Sequence, residues 1–313
     1  MTNDSLIAIR PLDDPAVHLL LKKIPLAADL SHSNRSFIEH LIGTWWILNK
    51  WKMPPWICRA GLLHSCYSTV FYPHALFDIC ERAVVRSIIG RQAEALAYRF
   101  CIIDRAQLWS LVAPISSLKG GLLVRRIDNS HRIFLSEATI RNLLLVESAN
   151  LAEQSAAPDG LPTSWMSRLA SWSRLLGRRR LPLPLHLRPM LTLAAERKAL
   201  RKYHQVMSAN LASVPALLCD TISLNPWAGE PRLLRALCAL ERGDREGALS
   251  DALQGHALLS AWSVPWDKRW KLGTWLNLSA LILQRIIKPD PSVSVRLCFK
   301  SVREALVAAS GDY

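Results

Sequence analysis

The sequence predicts a mainly α-helical fold with two helical domains and one small β-hairpin. Half of the 313 residues are hydrophobic, so the chain can bury a sizeable core. Apolar residues recur every three or four positions along most of the chain, as they do on one face of an α-helix. Prolines and a glycine cluster after residue 156, and more prolines follow up to Pro189. We therefore expect helical domains at residues 1–155 and 191–313, joined by a linker at 156–190.

The composition argues against a membrane-spanning, secreted or disulfide-rich protein. No apolar run approaches the roughly 18 residues that span a bilayer, and the N-terminus lacks the basic and apolar pattern of a secretory signal. Seven scattered cysteines without a Cys-x-x-Cys pair favour a reduced, cytoplasmic protein over a disulfide framework. The net charge of +14 favours an anionic partner, but no motif specific to nucleic acid is present.

The stretch Ser36–Tyr67 predicts two helices packed side by side, each carrying one histidine. The first opens with a Ser-x-x-Glu capping box, and apolar positions then recur at helical spacing. Two consecutive prolines mark the start of the second, which we expect to run to Tyr67. Such a pair would bring His40 and His64 to a common point, a geometry that suits a metal ion.

Further helices and a hairpin complete the first half. We expect one helix from about Ala75 to Ile89, and the next to place Asp104 on a face of small residues. Residues 69–74 read as a turn. Alternation around Asp128-Asn129 predicts a β-hairpin near residues 121–135. A helix follows from Ser136 to about residue 152.

The linker contains a basic amphipathic helix, SWMSRLASWSRLLGRRR, with tryptophans and leucines on one stripe. One interpretation is contact with a membrane surface or another anionic partner. The other, which we favour, is that the tryptophans pack on a neighbouring element. Prolines at positions 182, 184 and 189 then form a stiff connector.

Residues 221–261 resemble one tetratricopeptide unit. The matching features are Leu224-Asn225-Pro226 before a helix, Gly243-Asp244 at a turn and Ala248 in the second helix. The resemblance covers roughly 40 residues and implies a tetratricopeptide-like C-terminal domain that recruits a protein partner. Four tryptophans follow and are expected in the core, at positions 262, 266, 270 and 275.

Three residues in the first half carry a second resemblance. His40 in EHLIGTWWIL, His64 in AGLLHS and Asp104 in CIIDR are similar to the metal ligands of the HD superfamily of metal-dependent enzymes. A closer resemblance is to an uncharacterised bacterial domain of unknown function, through HLIGT, AGLLHSCYST and FCIIDR. The resemblance implies an HD-like helical domain with one divalent transition-metal ion held by His40, His64 and Asp104.

The chain departs from the HD pattern after the second histidine. Ser65 stands where the superfamily has a metal-binding aspartate. A hydroxyl is a poor substitute for that carboxylate at neutral pH, which argues against two metals and for one at most. Four nearby residues are candidates for acid–base or anion-binding roles: Glu39, Tyr67, His74 and Arg105.

Each candidate also has an ordinary structural interpretation. A buried histidine is more often hydrogen-bonded core than ligand. Asp104 would form an ion pair with Arg105 or Arg99, or act as a helix-terminal carboxylate. His74 would be an exposed loop residue.

Three functions follow from these observations. The first is an HD-like metal-dependent hydrolase of a phosphorylated or otherwise anionic small molecule. The second is an HD-like non-haem iron oxygenase, which needs more ligands than the sequence offers. The third is a metal-free helical module that binds a protein. The missing aspartate favours the third, and the paired histidines favour the first.

Overall fold

The computed structural model describes residues 14–22, 31–32, 35–69, 72–111, 114–129, 131–157, 159–176, 190–288 and 298–310. These residues are mainly α-helical, which confirms the predicted fold class. The chain divides into two compact units, Met1–Gln154 with Trp172–Leu181, and Ser155–Ser171 with Pro182–Tyr313. None of the helices in these stretches is both long and apolar enough to cross a bilayer.

The first unit combines helices with three short antiparallel strand pairs, β1–β2, β3–β4 and β5–β6, within its described residues. Its elements are α1 (Pro15–Lys22), β1 (Ser31–His32), β2 (Arg35–Ser36), α2 (Phe37–Lys50), α3 (Pro55–Leu62), β3 (Tyr67–Thr69), β4 (Tyr72–Ala75), α4 (Arg82–Ile89), α5 (Arg91–Ile102), α6 (Ala106–Trp109), β5 (Gly121–Arg125), β6 (Arg132–Ser136) and α7 (Glu137–Gln154).

Most of the described part of the second unit is helical. Its helices are the first residues of α8 (Met166–Leu176), then α9 (Leu193–Ser208), α10 (Val214–Leu224), α11 (Glu230–Glu241), α12 (Arg245–Trp262), α13 (Leu272–Ile287) and α14 (Phe299–Ala309). Thr192 caps α9 and Asp244 caps α12, each through a side-chain oxygen that accepts a backbone N–H.

Close packing of α2 against α3 fixes the frame around the predicted histidine pair. The apolar stripe of α2 is buried as expected and includes Trp45 and Leu48. A Cβ on Gly61 of α3 would lie 2.2 Å from Leu48 Cδ1, so only glycine permits this approach of the two helices.

The predicted hairpin at residues 121–135 is confirmed by β5 and β6. Its inner residues, Val124 and Leu135, are fully buried. Its outer residues are exposed, and Leu123 lies directly opposite Phe134. This alternation follows from the two-residue period of a strand packed on one face.

The prediction that the second helix runs to Tyr67 is wrong. Helix α3 ends at Leu62, so His64 lies in the turn that follows it and Tyr67 begins β3. The carbonyl of Gly61 accepts both the backbone N–H of His64, at 3.4 Å, and its ring Nδ1, at 2.7 Å. If the helix continued, the Gly61 carbonyl would accept the backbone N–H of residue 65. The imidazole of His64 competes for that carbonyl and so favours the end of the helix.

Two further local predictions are wrong. Helix α5 ends at Ile102, so Asp104 does not lie on its face, and the backbone N–H of Asp104 donates to Arg125 O of β5 at 2.9 Å. Within the passage predicted as a turn, Thr69 lies in strand β3 and residues 72–74 lie in strand β4. Backbone pairing decided both cases: Asp104 pairs with Arg125, 21 positions along the chain, and β3 pairs with the adjacent strand β4.

Most tryptophans of the linker region and of the second unit are core residues, but Trp270, also expected in the core, is only half-buried. Trp165 and Trp172 of the predicted amphipathic stripe are buried, as we favoured. Trp165 packs edge-on against Trp262 with ring centroids 5.2 Å apart. Trp266 and Trp275 are fully buried. The prolines at 182, 184 and 189 lie outside the described residues.

A buried acidic residue organises the loop between α12 and α13. Glu230, fully buried, accepts the backbone N–H groups of Trp266 and Asp267 through its Oε1. Asp267 in turn accepts the hydroxyl of Tyr203 at 2.7 Å and pairs with Arg269. Burial, reinforced by the nearby Asp267 carboxylate, raises the pKa of Glu230 to about 7.

We predict that Glu230 makes the second unit less stable as the pH rises from about 4.5 to about 7. The ordinary pKa of a glutamate is 4.5. Between that pH and about 7, the Glu230 carboxyl is therefore ionised in the unfolded chain but still protonated in the folded chain. The free energy of unfolding should fall by on the order of 3 kcal/mol across this pH range. Denaturant unfolding at several pH values would measure it, and Glu230→Gln should remove this component. An equal slope in the variant would contradict the prediction.

Candidate functional site

The structure brings the two predicted histidines together in the interior of the first unit. Nε2 of His40 lies 3.3 Å from Nε2 of His64, and the rings meet edge-on with centroids 5.1 Å apart. Both residues are at least 97% buried. Phe100 of α5 packs edge-on against His64, again with centroids 5.1 Å apart.

The hydrogen bonds at the other ring nitrogen indicate the tautomer of each imidazole. Nδ1 of His64 lies 2.7 Å from the carbonyl of Gly61, which can only accept. Nδ1 of His40 contacts the carboxylate of Glu153. Assigned from these partners, both Nδ1 atoms carry hydrogen, and both Nε2 atoms direct lone pairs at each other. Such a contact is attractive only when a proton or a cation lies between the two nitrogens.

Helix α7 supplies the carboxylate that fixes His40. Glu153 lies 113 positions along the chain from His40, in the last turn of α7, and is 93% buried. A Cβ on Gly43 would lie 2.8 Å from Glu153 Cγ and 2.9 Å from its Oε1. Glycine at position 43 of α2 therefore leaves the space that Glu153 occupies.

A second group of polar residues on α7 continues this buried layer. Glu147 accepts from Arg105 Nη1 at 2.9 Å and from Asn150 Nδ2 at 3.3 Å. All three residues are buried, and the guanidinium of Arg105 lies over the ring of Phe100, 4.2 Å from its centroid. Arg105, predicted to hold an anion, is thus bound to a carboxylate of its own chain and stacked beside the ring that contacts His64.

Asp104 lies apart from the histidine pair. Its carboxylate accepts from Arg125 at 2.9 Å, from Gln107 at 3.4 Å and from the backbone N–H of Ala106 at 3.2 Å. Partial burial acts to raise the pKa of Asp104, but these hydrogen bonds outweigh it and leave the pKa below its ordinary value. Its partner is therefore an arginine, as the ordinary interpretation held, although it is Arg125 instead of Arg99 or Arg105.

The other predicted residues are spread over the first unit. Glu39 and His74 are exposed. Tyr67 is buried and its hydroxyl donates to Glu94 at 3.4 Å. Burial and nearby acidic groups raise the pKa of Tyr67 above its usual range. Glu94, completely buried, also accepts from Arg82 at 2.6 Å and pairs with Arg86, so Tyr67 belongs to an ion-pair network.

The residues present fit part of a metal site. Two nitrogens bound tetrahedrally at about 2.1 Å lie about 3.4 Å apart, close to the observed 3.3 Å between the Nε2 atoms. Histidines that bind metal almost always donate their other N–H to a carboxylate or backbone carbonyl, as both do here. Across the described ranges, however, no group of three or more His, Cys, Asp or Glu side chains is arranged to hold a metal ion. The predicted trio with Asp104 is therefore not assembled.

Sequence reasoning missed the polar residues of α7. Glu147, Asn150 and Glu153 recur every three residues in a helix whose other buried positions are largely apolar. A polar stripe within a buried helix indicates an internal network, because burying polar groups without partners is costly. That signal was present in the sequence, although it could not say that His40 was the partner.

Comparison with known protein families gives a match in the first unit. A family model described as Domain of unknown function (DUF6817) matches residues 21–105. The span includes both histidines and ends at Arg105, which agrees with the predicted resemblance to a domain of unknown function. No curated protein and no solved structure matches the chain. The resemblances to the HD superfamily and to a tetratricopeptide unit stay predictions.

We predict that Gly43→Ala destabilises the first unit through Glu153. The added methyl group would overpack the carboxylate side chain at a cost of about 1–3 kcal/mol, more than alanine gains in a helix. With Glu153→Ala already present, the same change should instead stabilise by about 0.5–1 kcal/mol. Urea unfolding of the four proteins would measure this double-mutant cycle. The control is Gly273→Ala, a helical position where a Cβ meets nothing within 4 Å. An equal cost of Gly43→Ala in both backgrounds would contradict the role assigned to Glu153.

Proposed function

We propose that the first unit is an HD-like metal-dependent enzyme, a hydrolase of an anionic small molecule, in which His40 and His64 hold one divalent transition-metal ion. One observation carries the proposal: the two Nε2 atoms face each other at 3.3 Å while both Nδ1 atoms are held by acceptors. A cation between the nitrogens turns an unfavourable contact of lone pairs into two ligand bonds.

The chain's own residues have distinct tasks in this proposal. Glu153 accepts the Nδ1 proton of His40 and thereby keeps Nε2 available as a ligand. The carbonyl of Gly61 does the same for His64. Phe100 closes one side of the pair against water. A bound ion would supply Lewis-acid activation of water or of a substrate oxygen.

The proposal of an anionic substrate is based on the positive net charge of the chain. The net charge of +14 raises the local concentration of anions around the chain. Arg105 pairs with Glu147, so its charge is largely compensated inside the protein. We therefore propose that Arg105 positions Phe100 beside the histidine pair, and that other basic groups bind the anionic substrate.

We predict that His64→Ala removes bound metal and leaves the helical fold intact. Two ligands on one ion act together, so the loss of either nitrogen should abolish stoichiometric binding. Elemental analysis of the full-length protein, purified without an affinity tag, measures the metal content, and circular dichroism checks the fold.

The matched control is His131→Ala, which removes an exposed histidine of the same unit. It should leave the metal content unchanged. Wild-type protein that contains no metal, and takes none up from zinc, manganese or iron salts, would refute the metal proposal.

The second candidate is a metal-free helical module that binds a protein partner. It is favoured by Ser65, which stands in place of an aspartate, and by the absence of a third arranged ligand among the described residues. In that case a proton lies between the two Nε2 atoms, and Glu153 stabilises the resulting imidazolium. His64→Ala would then lower the stability of the first unit without changing any metal content.

A further inference from the structure

The outer face of the hairpin β5–β6 exposes apolar side chains that the proposed function does not use. Leu123 and Phe134 are a directly opposed cross-strand pair, and they are 55% and 60% exposed. Ile127, just after β5, is 38% exposed. We call these three residues the hairpin patch. A surface leucine alone needs no explanation, but a contiguous apolar patch indicates an interaction site.

The strand backbone holds the hairpin patch in place. The ring of Phe134 lies over Gly121, where a Cβ would come within 2.5 Å of its Cζ atom. The opposite faces of the same strands are anchored by buried Val124 and Leu135. The apolar side chains are thus presented on a preformed ribbon, and little conformational entropy is lost when they are covered.

Basic residues lie next to the hairpin patch. Arg125 and Arg132 are directly opposite each other, although like charges at such positions destabilise a strand pair. Arg125 donates to Asp104 but its side chain is still 65% exposed. Arg132 is exposed and makes no ion pair with any residue that the structure describes. Lys119, just before β5, is also exposed.

We propose that the hairpin patch is a peripheral docking site for an anionic lipid bilayer surface. The apolar side chains would enter the boundary between headgroups and acyl chains, while Arg125, Arg132 and Lys119 bind acidic headgroups. Each basic residue near such a surface strengthens binding about fivefold.

Other occupants fit less well. A stable protein interface buries about 800 Å² on each partner, far more than three side chains on a narrow ribbon provide. In a contact of two hairpin patches, each copy would present basic residues to the other, whereas an anionic surface is complementary to them. Single-stranded nucleic acid is bound by stacking on several aromatic rings, and the hairpin patch has only Phe134.

Cosedimentation of the full-length protein with vesicles tests the proposal. We expect binding to equimolar phosphatidylserine and phosphatidylcholine, and little binding to phosphatidylcholine alone. Raising the salt concentration should weaken binding, because the Debye length falls from about 10 Å at 0.1 M to about 3 Å at 1 M. Leu123→Ser should weaken binding about tenfold and Arg132→Ser about fivefold.

Two matched variants serve as controls. Leu253→Ser removes a leucine that is 52% exposed in the second unit, and Arg242→Ser removes an exposed arginine there. Both should bind vesicles like wild type. Circular dichroism would show that Leu123→Ser and Arg132→Ser are folded, and Leu123→Ser leaves the contact of Phe134 with Gly121 in place.

Several outcomes would overturn the proposal. They are absence of binding to the phosphatidylserine vesicles, equal losses in the control variants, and binding of mixed-sequence single-stranded RNA that the same hairpin variants abolish. A change of oligomeric state in Leu123→Ser, measured by light scattering, would instead identify the hairpin patch as a contact between copies of the chain.

Discussion

The buried contact of His40 with His64 and Glu153 is the constraint on which the first unit depends. Three polar groups removed from water must satisfy one another, because an unpaired polar group in the interior costs more than a lost surface contact. This requirement ties α7 to α2, and α2 to the turn after α3. Gly43 and Gly61 supply the clearance, one for the carboxylate and one for the approach of the helices. The same contacts therefore determine both the geometry of the site and the packing of the helices.

The same constraint explains why the neighbouring polar residues cluster on one helix. Glu147 and Asn150 follow the side of α7 that leads to Glu153, and Arg105 reaches this layer from the segment after α5. Because its members are mutually satisfied, the layer favours one arrangement of the helices over others of similar hydrophobicity. Removal of one member takes a hydrogen-bond partner from its neighbours. We therefore interpret the layer as the support of the histidine pair.

The second unit also buries polar groups, but it satisfies them with a different set of partners. Its buried acid Glu230 binds the backbone of a loop rich in tryptophan, and the pair of Asp267 with Arg269 completes the network. Two indole rings lie beside this network: Trp275 Nε1 donates to the carbonyl of Asp267 at 3.0 Å, and Trp266 packs against Tyr203 with ring centroids 5.4 Å apart. The proposed metal chemistry is confined to the first unit, and nothing in it requires the network around Glu230.

Local sequence pattern by itself determined the mainly helical class, the hairpin at residues 121–135 and the burial of Trp262, Trp266 and Trp275. It also suggested that His40 and His64 meet, although it placed His64 on a helix that ends before it. These features follow from periodicity, turn residues and the size of apolar side chains, which act over short stretches of chain. Only the tertiary structure decided that α3 stops before His64 and that Asp104 joins Arg125. It also decided that Glu153 completes the site. Each of these depends on a hydrogen bond that a side-chain or backbone group makes away from regular helical pairing. A contact across 113 positions depends on how helices pack, which periodicity does not encode.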